Sequence, residues 1–182
     1  LHVKPVVFWQ QENLLQQYLP NLDRYIVLSD YDKRDYMEKL GIDCEVKINP
    51  RSFVSEKKCD VKSKRFLMAT RFVYAKGLDL MMESFEEFCK EDSEWELDII
   101  GDGDLFDQIR ADAKKRHLEK RVHFVGYTNE PEKYYLNSSV FLLPSRWEGW
   151  PMVIMEAFEF GLPVIAYHMG AMDLIIDDGK TG

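Results

Sequence analysis

The chain has 182 residues, of which 46% are hydrophobic and 31% are charged, values that are typical of a globular protein. Its net charge of −8 argues against a nucleic-acid-binding protein, because binding to a phosphate backbone usually needs a basic surface. No apolar run approaches the roughly 18 residues of a membrane span, and the three cysteines form no CxxC pair. We therefore expect neither a zinc site nor a disulfide framework, but free thiols in a reducing cytoplasm.

The first fifty residues predict a strand, a helix and a second strand. The first strand is residues 24–28, and Ser29 or Asp30 could cap the helix that follows to Leu40. The second strand, residues 45–48, is halted by an Asn-Pro pair.

Residues 55–64 are almost all polar and predict a linker, so we place a domain boundary there. The chain starts without Met and stops at residues 178–182, a turn-like sequence with no closing strand or helix. We therefore expect the fold to be truncated at both ends.

Beyond the linker, short apolar strands alternate with longer amphipathic helices. The predicted strands are residues 65–69, 96–100, 121–125, 140–143 and 162–166, and the predicted helices are residues 78–90, 105–117, 132–136 and 151–160. Such alternation predicts an α/β fold, a Rossmann-like doubly wound parallel sheet with helices on both faces. Ligands of such sheets bind beyond the carboxyl ends of the strands.

The loop after the first of these strands carries two cations, Arg71 and Lys76, which flank the start of a helix. A guanidinium, an ammonium and a helix N-terminus together suit a diphosphate. The alternative is that both are ordinary surface cations, which are common.

The loop after the second strand reads Gly101-Asp102-Gly103-Asp104. It fails the dinucleotide fingerprint, because Phe106 stands where the third glycine belongs. The two aspartates could suggest a metal site, but an Asp in a loop that opens a helix is more often a cap. We therefore predict no bound metal.

The loop at residues 144–151 is the most informative. Gly149 would let a ligand approach the backbone, and Pro151 suits the first position of a helix whose free N–H groups would attract an anion. Glu156 lies inside that helix among apolar neighbours, so its carboxylate needs partners. The hydroxyls of a ribose could supply them, as could solvent or a buried backbone N–H.

Together these motifs resemble the retaining glycosyltransferase family 4, which has the GT-B fold of two facing Rossmann-like domains. The family's Glu-x7-Glu signature is matched by Glu148 and Glu156. The other matching motifs are Arg71 with Lys76-Gly77, Gly101-Asp102-Gly103, residues 161–166 and residues 178–182. Residues 27–50 look like the end of the family's N-terminal domain, so the resemblance covers nearly the whole chain.

The resemblance implies a division into a remnant of the N-terminal domain at residues 1–54, the linker at 55–64, and an incomplete nucleotide-sugar-binding domain at 65–182. It implies transfer of a hexose-type sugar, with retention of configuration, from a UDP- or GDP-linked donor without a bound metal. The acceptor, a saccharide or a lipid-linked saccharide in polysaccharide or glycolipid synthesis, would bind through the missing domain. The fragment alone is expected to be inactive. We expect a cytoplasmic protein, with peripheral contact at the inner face of the membrane in the full-length enzyme.

The resemblance also implies roles for individual residues. Arg71 and Lys76 would bind the donor diphosphate and stabilise the leaving nucleotide, and Glu148 would bond a sugar hydroxyl. Glu156 would hold the ribose diol, and Thr128 would lie beside the base. The remaining donor-binding positions are Gly101, Gly103, Gly149, Trp150, Pro151 and Met152.

Two positions depart from the family. Asp173 stands where a Glu is common, and it is one methylene shorter, while Trp150 is bulkier than some residues at its place and could narrow the donor pocket. One alternative hypothesis is a non-catalytic nucleotide-binding or scaffold protein that has kept the fold. Another is a different GT-B enzyme, either a sugar-nucleotide epimerase or a phosphorylase.

Overall fold

The structure, a computed structural model, describes residues 24–50, 54–92, 94–170 and 172–182. The chain divides into two compact units, Leu1–Asn49 and Pro50–Gly182. The predicted domain at residues 1–54 therefore includes two stretches, 1–23 and 51–53, that lie outside the described residues.

The described part of the first unit is a strand, a helix and a strand, as predicted. β1 (Ile26–Val27) pairs in parallel with β2 (Glu45–Val46), and α1 (Asp30–Leu40) connects them. Ser29 caps the helix by accepting a hydrogen bond from the backbone N–H of Asp32 at 3.0 Å. Both strands are shorter than predicted, because only two residues of each pair with the other.

In its described residues, the second unit has five strands, three longer helices, one short helix and two 3₁₀ turns. In chain order its elements are β3 (Arg65–Ala69), a 3₁₀ turn (Tyr74–Lys76), α2 (Leu78–Glu91), β4 (Glu96–Ile100), α3 (Phe106–Lys115), β5 (Val122–Gly126), α4 (Glu132–Leu136), β6 (Val140–Leu143), α5 (Met152–Glu159), β7 (Val164–Ala166) and a 3₁₀ turn (Met172–Leu174). All five strands are parallel, in the order β5-β4-β3-β6-β7. The predicted α/β fold with a parallel sheet is confirmed.

The two faces of the sheet bury different helices. Because side chains alternate along a strand, Met68 points to one face and Leu67 to the other. Met68 packs in a cluster with Phe85 of α2 and with Ile109 of α3. Leu67 packs in a second cluster with helix α4 and with Ile154 of α5. The sheet is therefore doubly wound.

Several predicted boundaries in the second unit were wrong by one or two residues. The helix predicted to reach His117 ends at Lys115, because His117 adopts a positive φ of 59° that ends the helical path. The strand predicted to begin at Leu162 begins at Val164, since the N–H of Leu162 bonds the carbonyl of Ala157 in the turn that closes α5. The strand predicted at residues 121–125 is shifted by one residue.

Residues 55–64 lie within the second unit and bond to it. The N–H of Ser55 donates to Glu159 Oε1 at 2.8 Å, and the N–H of Cys59 donates to the carbonyl of Phe160 at 2.8 Å. The N–H of Asp60 reaches the segment before β6. The stretch that we predicted as a linker is thus fixed along helices α4 and α5.

Within the described ranges, no helix is both long enough and apolar enough to pass through a bilayer.

Candidate functional site

The strand order reverses between β3 and β6, which are neighbours at the middle of the sheet. The chain runs from β3 outward to β4 and β5, then returns to β6 and continues to β7 on the other side. The helices that follow β3 and β6 pack on opposite faces of the sheet. Such a switch point generally has a crevice at the carboxyl edge, where α/β proteins bind ligands. Arg71 and Lys76 follow β3, and Glu148 follows β6.

Lys76 and Glu148, 72 residues apart, form an ion pair between the loops after β3 and β6, at the switch point of the sheet. The Lys76 ammonium donates to both carboxylate oxygens of Glu148, each at 2.7 Å. The Ser145 hydroxyl donates to Glu148 Oε1 at 2.6 Å. The Glu148 side chain is only 8% exposed and the Lys76 side chain 22%. Two groups predicted as site residues are thus brought together, and the Ser145 hydroxyl holds one oxygen of the carboxylate.

A second ion pair ties the same two loops together. The Arg146 guanidinium donates to both oxygens of Asp79, at 2.8 and 2.6 Å, and also to the carbonyl of Tyr74 at 2.9 Å. It lies 4.0 Å from the centre of the Tyr74 ring, while its backbone N–H bonds the carbonyl of Ala75 at 2.8 Å. The hydrogen bonds from Arg146 hold the pKa of Asp79 below its usual range. The loop after β6 is therefore anchored on the turn that carries Lys76.

Arg71 is the cation that this network does not use. Its side chain is exposed, and in the part of the chain that the structure describes no acidic side chain is paired with it. It stands at the start of the loop that leads to Lys76. An unpaired guanidinium beside a crevice is available to an anionic ligand.

Gly101 and Gly103 mediate close contact between the loops after β3 and β4. The N–H of Thr70 bonds the carbonyl of Ile100 at 2.9 Å, and a side chain at Gly101 would collide with the Thr70 carbonyl. A side chain at Gly103 would lie 2.8 Å from the backbone nitrogen and oxygen of Phe72 in the β3 loop, which is also too close. Their lack of side chains is thus explained by loop packing.

Asp102 caps its own loop, because one of its carboxylate oxygens accepts the N–H of Gly103 at 2.8 Å. Across the described ranges, no three His, Cys, Asp or Glu side chains are grouped so as to hold a metal ion.

The segment from Gly149 to Met152 leads from the β6 loop into α5. Pro151 is the residue before the helix and not its first residue, with φ −74° and an extended ψ of 98°. The helix begins at Met152, because the first helical hydrogen bond joins the N–H of Ile154 to the Pro151 carbonyl. The backbone N–H groups at the start of this helix have no acceptor within the helix and could donate hydrogen bonds to an anion. Among the described side chains, the Trp150 indole N–H is buried without a hydrogen-bond acceptor.

Glu156 lies in α5, and its partner is a residue that sequence reasoning missed. The Tyr135 hydroxyl, from helix α4, donates to Glu156 Oε2 at 2.7 Å. From the sequence we considered solvent and a buried backbone N–H as partners of Glu156. In the structure the partner is instead the hydroxyl of Tyr135. The carboxylate is half-buried and anchored from one side by a buried phenol.

Thr128 lies in the loop after β5, at the same carboxyl edge of the sheet, where its hydroxyl accepts the N–H of Glu130 at 3.1 Å. Three strand spacings separate β5 from β6, which is about 14 Å. Thr128 is therefore remote from the Lys76–Glu148 pair. Asp173, which stands where the family commonly has a Glu, is exposed and pairs with His168 at 3.0 Å.

Solved structures share this fold. The chain aligns with a variant of S. aureus TarM in complex with fondaparinux, alpha-GlcNAc-glycerol and UDP, with a TM-score of 0.80 and 23% identity over 94% of this chain and 35% of that one. It also aligns with the lipopolysaccharide outer core galactosyltransferase WaaB, with a TM-score of 0.66 and 26% identity over 87% of this chain and 47% of that one. The second unit thus has the C-terminal, Rossmann-like domain fold of GT-B glycosyltransferases.

Residues 52–182 match the model of the family described as glycosyl transferases group 1, and the chain belongs to that family. An uncharacterised glycosyltransferase of Haemophilus influenzae is 30% identical over 80% of this chain and 42% of its own length. The amylovoran biosynthesis glycosyltransferase AmsD of Erwinia amylovora is 34% identical over 65% of this chain and 34% of its own length. The chain thus spans less than half the length of these relatives.

Proposed function

We propose that this chain supplies the donor site of a retaining glycosyltransferase, which moves a hexose-type sugar from a nucleotide sugar to an acceptor. The observation that carries the proposal is the Lys76–Glu148 pair at the switch point of the sheet, with the unpaired Arg71 in the same loop. A diphosphate needs cations and free N–H groups, and the start of α5 offers the latter at the same edge.

In this proposal Arg71 and Lys76 stabilise the diphosphate as the glycosidic bond breaks. Negative charge then builds on the leaving nucleotide, and fixed cations lower the energy of that state more than that of the intact donor. Lys76 need not leave Glu148 to act, since an ammonium has three N–H donors and only two are directed to Glu148.

Glu148 has a double role in the proposal. Its two oxygens offer about four acceptor sites, of which Lys76 and Ser145 occupy three. The remaining site suits a hydroxyl of the donor sugar. On α5, Glu156 would accept the hydroxyls of the ribose, and Thr128 would lie toward the base at the far side of the sheet. The backbone from Gly149 to Met152 would contact the sugar and the phosphates.

The comparisons support the class of donor and acceptor in this proposal. TarM was solved with UDP, and several relatives are named for polymer or lipopolysaccharide synthesis, among them AmsD and a lipopolysaccharide 1,6-galactosyltransferase of Salmonella typhimurium. We therefore favour a UDP-linked donor, with a GDP-linked one as the alternative, and a saccharide or lipid-linked acceptor held by the rest of the protein. We propose that the reaction needs no metal cofactor and that the protein lies in the cytoplasm.

The test is nucleotide binding followed by transfer. Ligand-observed NMR with UDP, GDP, ADP and CMP should show selective binding of one nucleotide, and Arg71→Ala should weaken it about 10-fold or more, since charge-assisted bonds contribute roughly 1.5–3 kcal/mol. A matched control is Arg110→Ala, in the exposed part of α3. The full-length protein should transfer sugar from the corresponding nucleotide sugar, and the anomeric configuration of the product reports retention. Binding without any transfer would favour the non-catalytic alternative, and no binding by the full-length protein would refute the donor site.

A further inference from the structure

A buried tyrosine is hydrogen-bonded to Glu156. Tyr135 belongs to helix α4, and its side chain is completely buried, with 0% exposure. Its ring stacks between two phenylalanines, at 5.8 Å from Phe141 with an interplanar angle of 11° and at 5.2 Å from Phe160 with an angle of 17°. The ring therefore has little freedom to turn or shift.

The hydroxyl of this fixed ring has a defined task. A phenol O–H buried among aromatic rings must find an acceptor, and Glu156 Oε2 is 2.7 Å away. Burial, with the adjacent Glu156 carboxylate, raises the pKa of Tyr135 far above its ordinary value, so the hydroxyl stays protonated. It donates this proton to Oε2 and so holds that oxygen of the Glu156 side chain in place.

We propose that Tyr135 is a positioning residue, which orients Glu156 toward the ribose diol and so makes the site selective for ribonucleotides over deoxyribonucleotides. This inference rests on the proposed function, in which Glu156 contacts the ribose. Tyr135 itself is buried and does not touch the donor.

The physical reason lies in preorganisation. A glutamate side chain has three rotatable bonds, and fixing them costs free energy when a ligand must do so alone. The Tyr135 hydroxyl fixes Oε2 in advance, so that Oε1 is aimed before the nucleotide arrives. A site built in this way rejects an analogue that lacks the hydroxyl, because its acceptor is then left unpaired.

The experiment measures the dissociation constants of UDP and of its 2′-deoxy and 3′-deoxy analogues, or of the GDP series if GDP is the nucleotide bound, on the full-length protein. The wild type should prefer the ribonucleotide by about 10- to 100-fold, the range expected for a hydrogen bond to a charged group. Tyr135→Phe keeps the stacked ring and removes only the hydroxyl. It should reduce this preference by roughly 3- to 10-fold and leave binding of the deoxy analogues nearly unchanged.

The neighbouring Tyr134→Phe is the matched control, with the same chemical change one residue earlier in the same helix. It should leave the preference as in the wild type. Glu156→Ala, alone and combined with Tyr135→Phe, completes a double-mutant cycle. If Tyr135 acts through Glu156, the double variant shows the same preference as Glu156→Ala alone.

The outcomes separate this inference from the proposed function. If Glu156→Ala leaves the ribose preference intact, or if the wild type binds neither nucleotide, the ribose role of Glu156 is refuted and the inference with it. If Glu156→Ala abolishes the preference but Tyr135→Phe leaves it unchanged, only the inference is overturned. Equal weakening of ribo- and deoxyribonucleotide by Tyr135→Phe would also overturn it, because that is what loss of packing alone produces.

Discussion

The Lys76–Glu148 pair lets stability and ligand binding be separated by mutation. Lys76→Met removes the ammonium and keeps much of the side-chain volume. Among the described side chains, it leaves the Glu148 carboxylate, 8% exposed, with the Ser145 hydroxyl as its hydrogen-bond donor. Breaking a fully buried pair costs about 3–5 kcal/mol. Because Lys76 is 22% exposed and water can partly replace it, we expect a loss of about 2–3 kcal/mol in the free energy of unfolding.

The assay is chemical and thermal unfolding, run beside UDP titration. For a domain of this size the expected loss lowers Tm by about 4–12 °C. Lys76→Met combined with Glu148→Gln should recover most of that stability, because a neutral amide is cheaper to bury and can still bond Ser145. UDP binding should fall about 10- to 100-fold in both variants, since neither carries the ammonium.

Lys90→Met is the control for this experiment. Lys90 pairs with Glu87 at 2.6 Å, a similar distance, but on an exposed helix surface. It should change neither Tm nor UDP binding measurably. The reasoning is refuted if the double variant stays as unstable as Lys76→Met, or if its UDP affinity recovers together with its stability.

Two further predictions concern the anchoring of these loops. Asp79→Asn should lower stability at neutral pH by at most about 1 kcal/mol, as Asp79 is 51% exposed. Arg146 lowers the pKa of Asp79, so the ion pair stabilises the fold fully above the unfolded pKa near 4 and loses its effect as the pH falls through the lower folded pKa. Urea titrations of the variant and the wild type should therefore converge as the pH falls below that folded pKa. Gly77→Ala should lower the free energy of unfolding by more than about 3 kcal/mol, because a side chain there collides with the Pro144 carbonyl. Gly126→Ala is the control, since Gly126 has a similar positive φ but open space around it, and it should lower the free energy of unfolding by about 1 kcal/mol. Equal losses of Tm in the two variants would contradict this reasoning.

The strands and longer helices of the second unit could be predicted because local chemistry and the tertiary fold agree there. Strand 65–69 and strand 96–100 were predicted with their observed bounds, since each is a short apolar run with polar residues or glycine at its ends. The errors fall at the ends of helices and strands, where single backbone hydrogen bonds and dihedral angles decide. Nothing in the sequence shows that Leu162 closes a turn onto Ala157 instead of starting a strand.

The positions of the candidate site residues could be predicted better than their partners. The topology alone places Lys76 and Glu148 at one edge of the sheet, because both follow parallel strands. It does not say that they pair. Tyr135 was missed for a similar reason, since a Tyr-Tyr pair on a short helix does not reveal which ring is buried. A signal was nonetheless present, because Glu156 on an apolar helix required a donor from some neighbouring element.

The burial of the Asp98 carboxylate was not predicted from the sequence. Asp98 lies in β4 and is buried, and burial raises its pKa even though Arg65 donates to it at 2.7 Å. Glu96, on the same face, accepts from Arg65 and contacts His123. The alternation of polar and apolar residues in β4 marks a strand with one partly polar face.

The three cations of these two loops differ in how many of their N–H groups are already bonded to acidic side chains. Arg146 is committed to Asp79 through both arms of its fork and to the ring of Tyr74, so moving it would release the loop after β6. Lys76 is committed to Glu148 through two of its three N–H groups. Arg71 is exposed and is paired with no acidic side chain in the described part of the chain. In the proposed donor site, Arg71 is therefore the cation that is available to the diphosphate, whereas Lys76 is already held by Glu148.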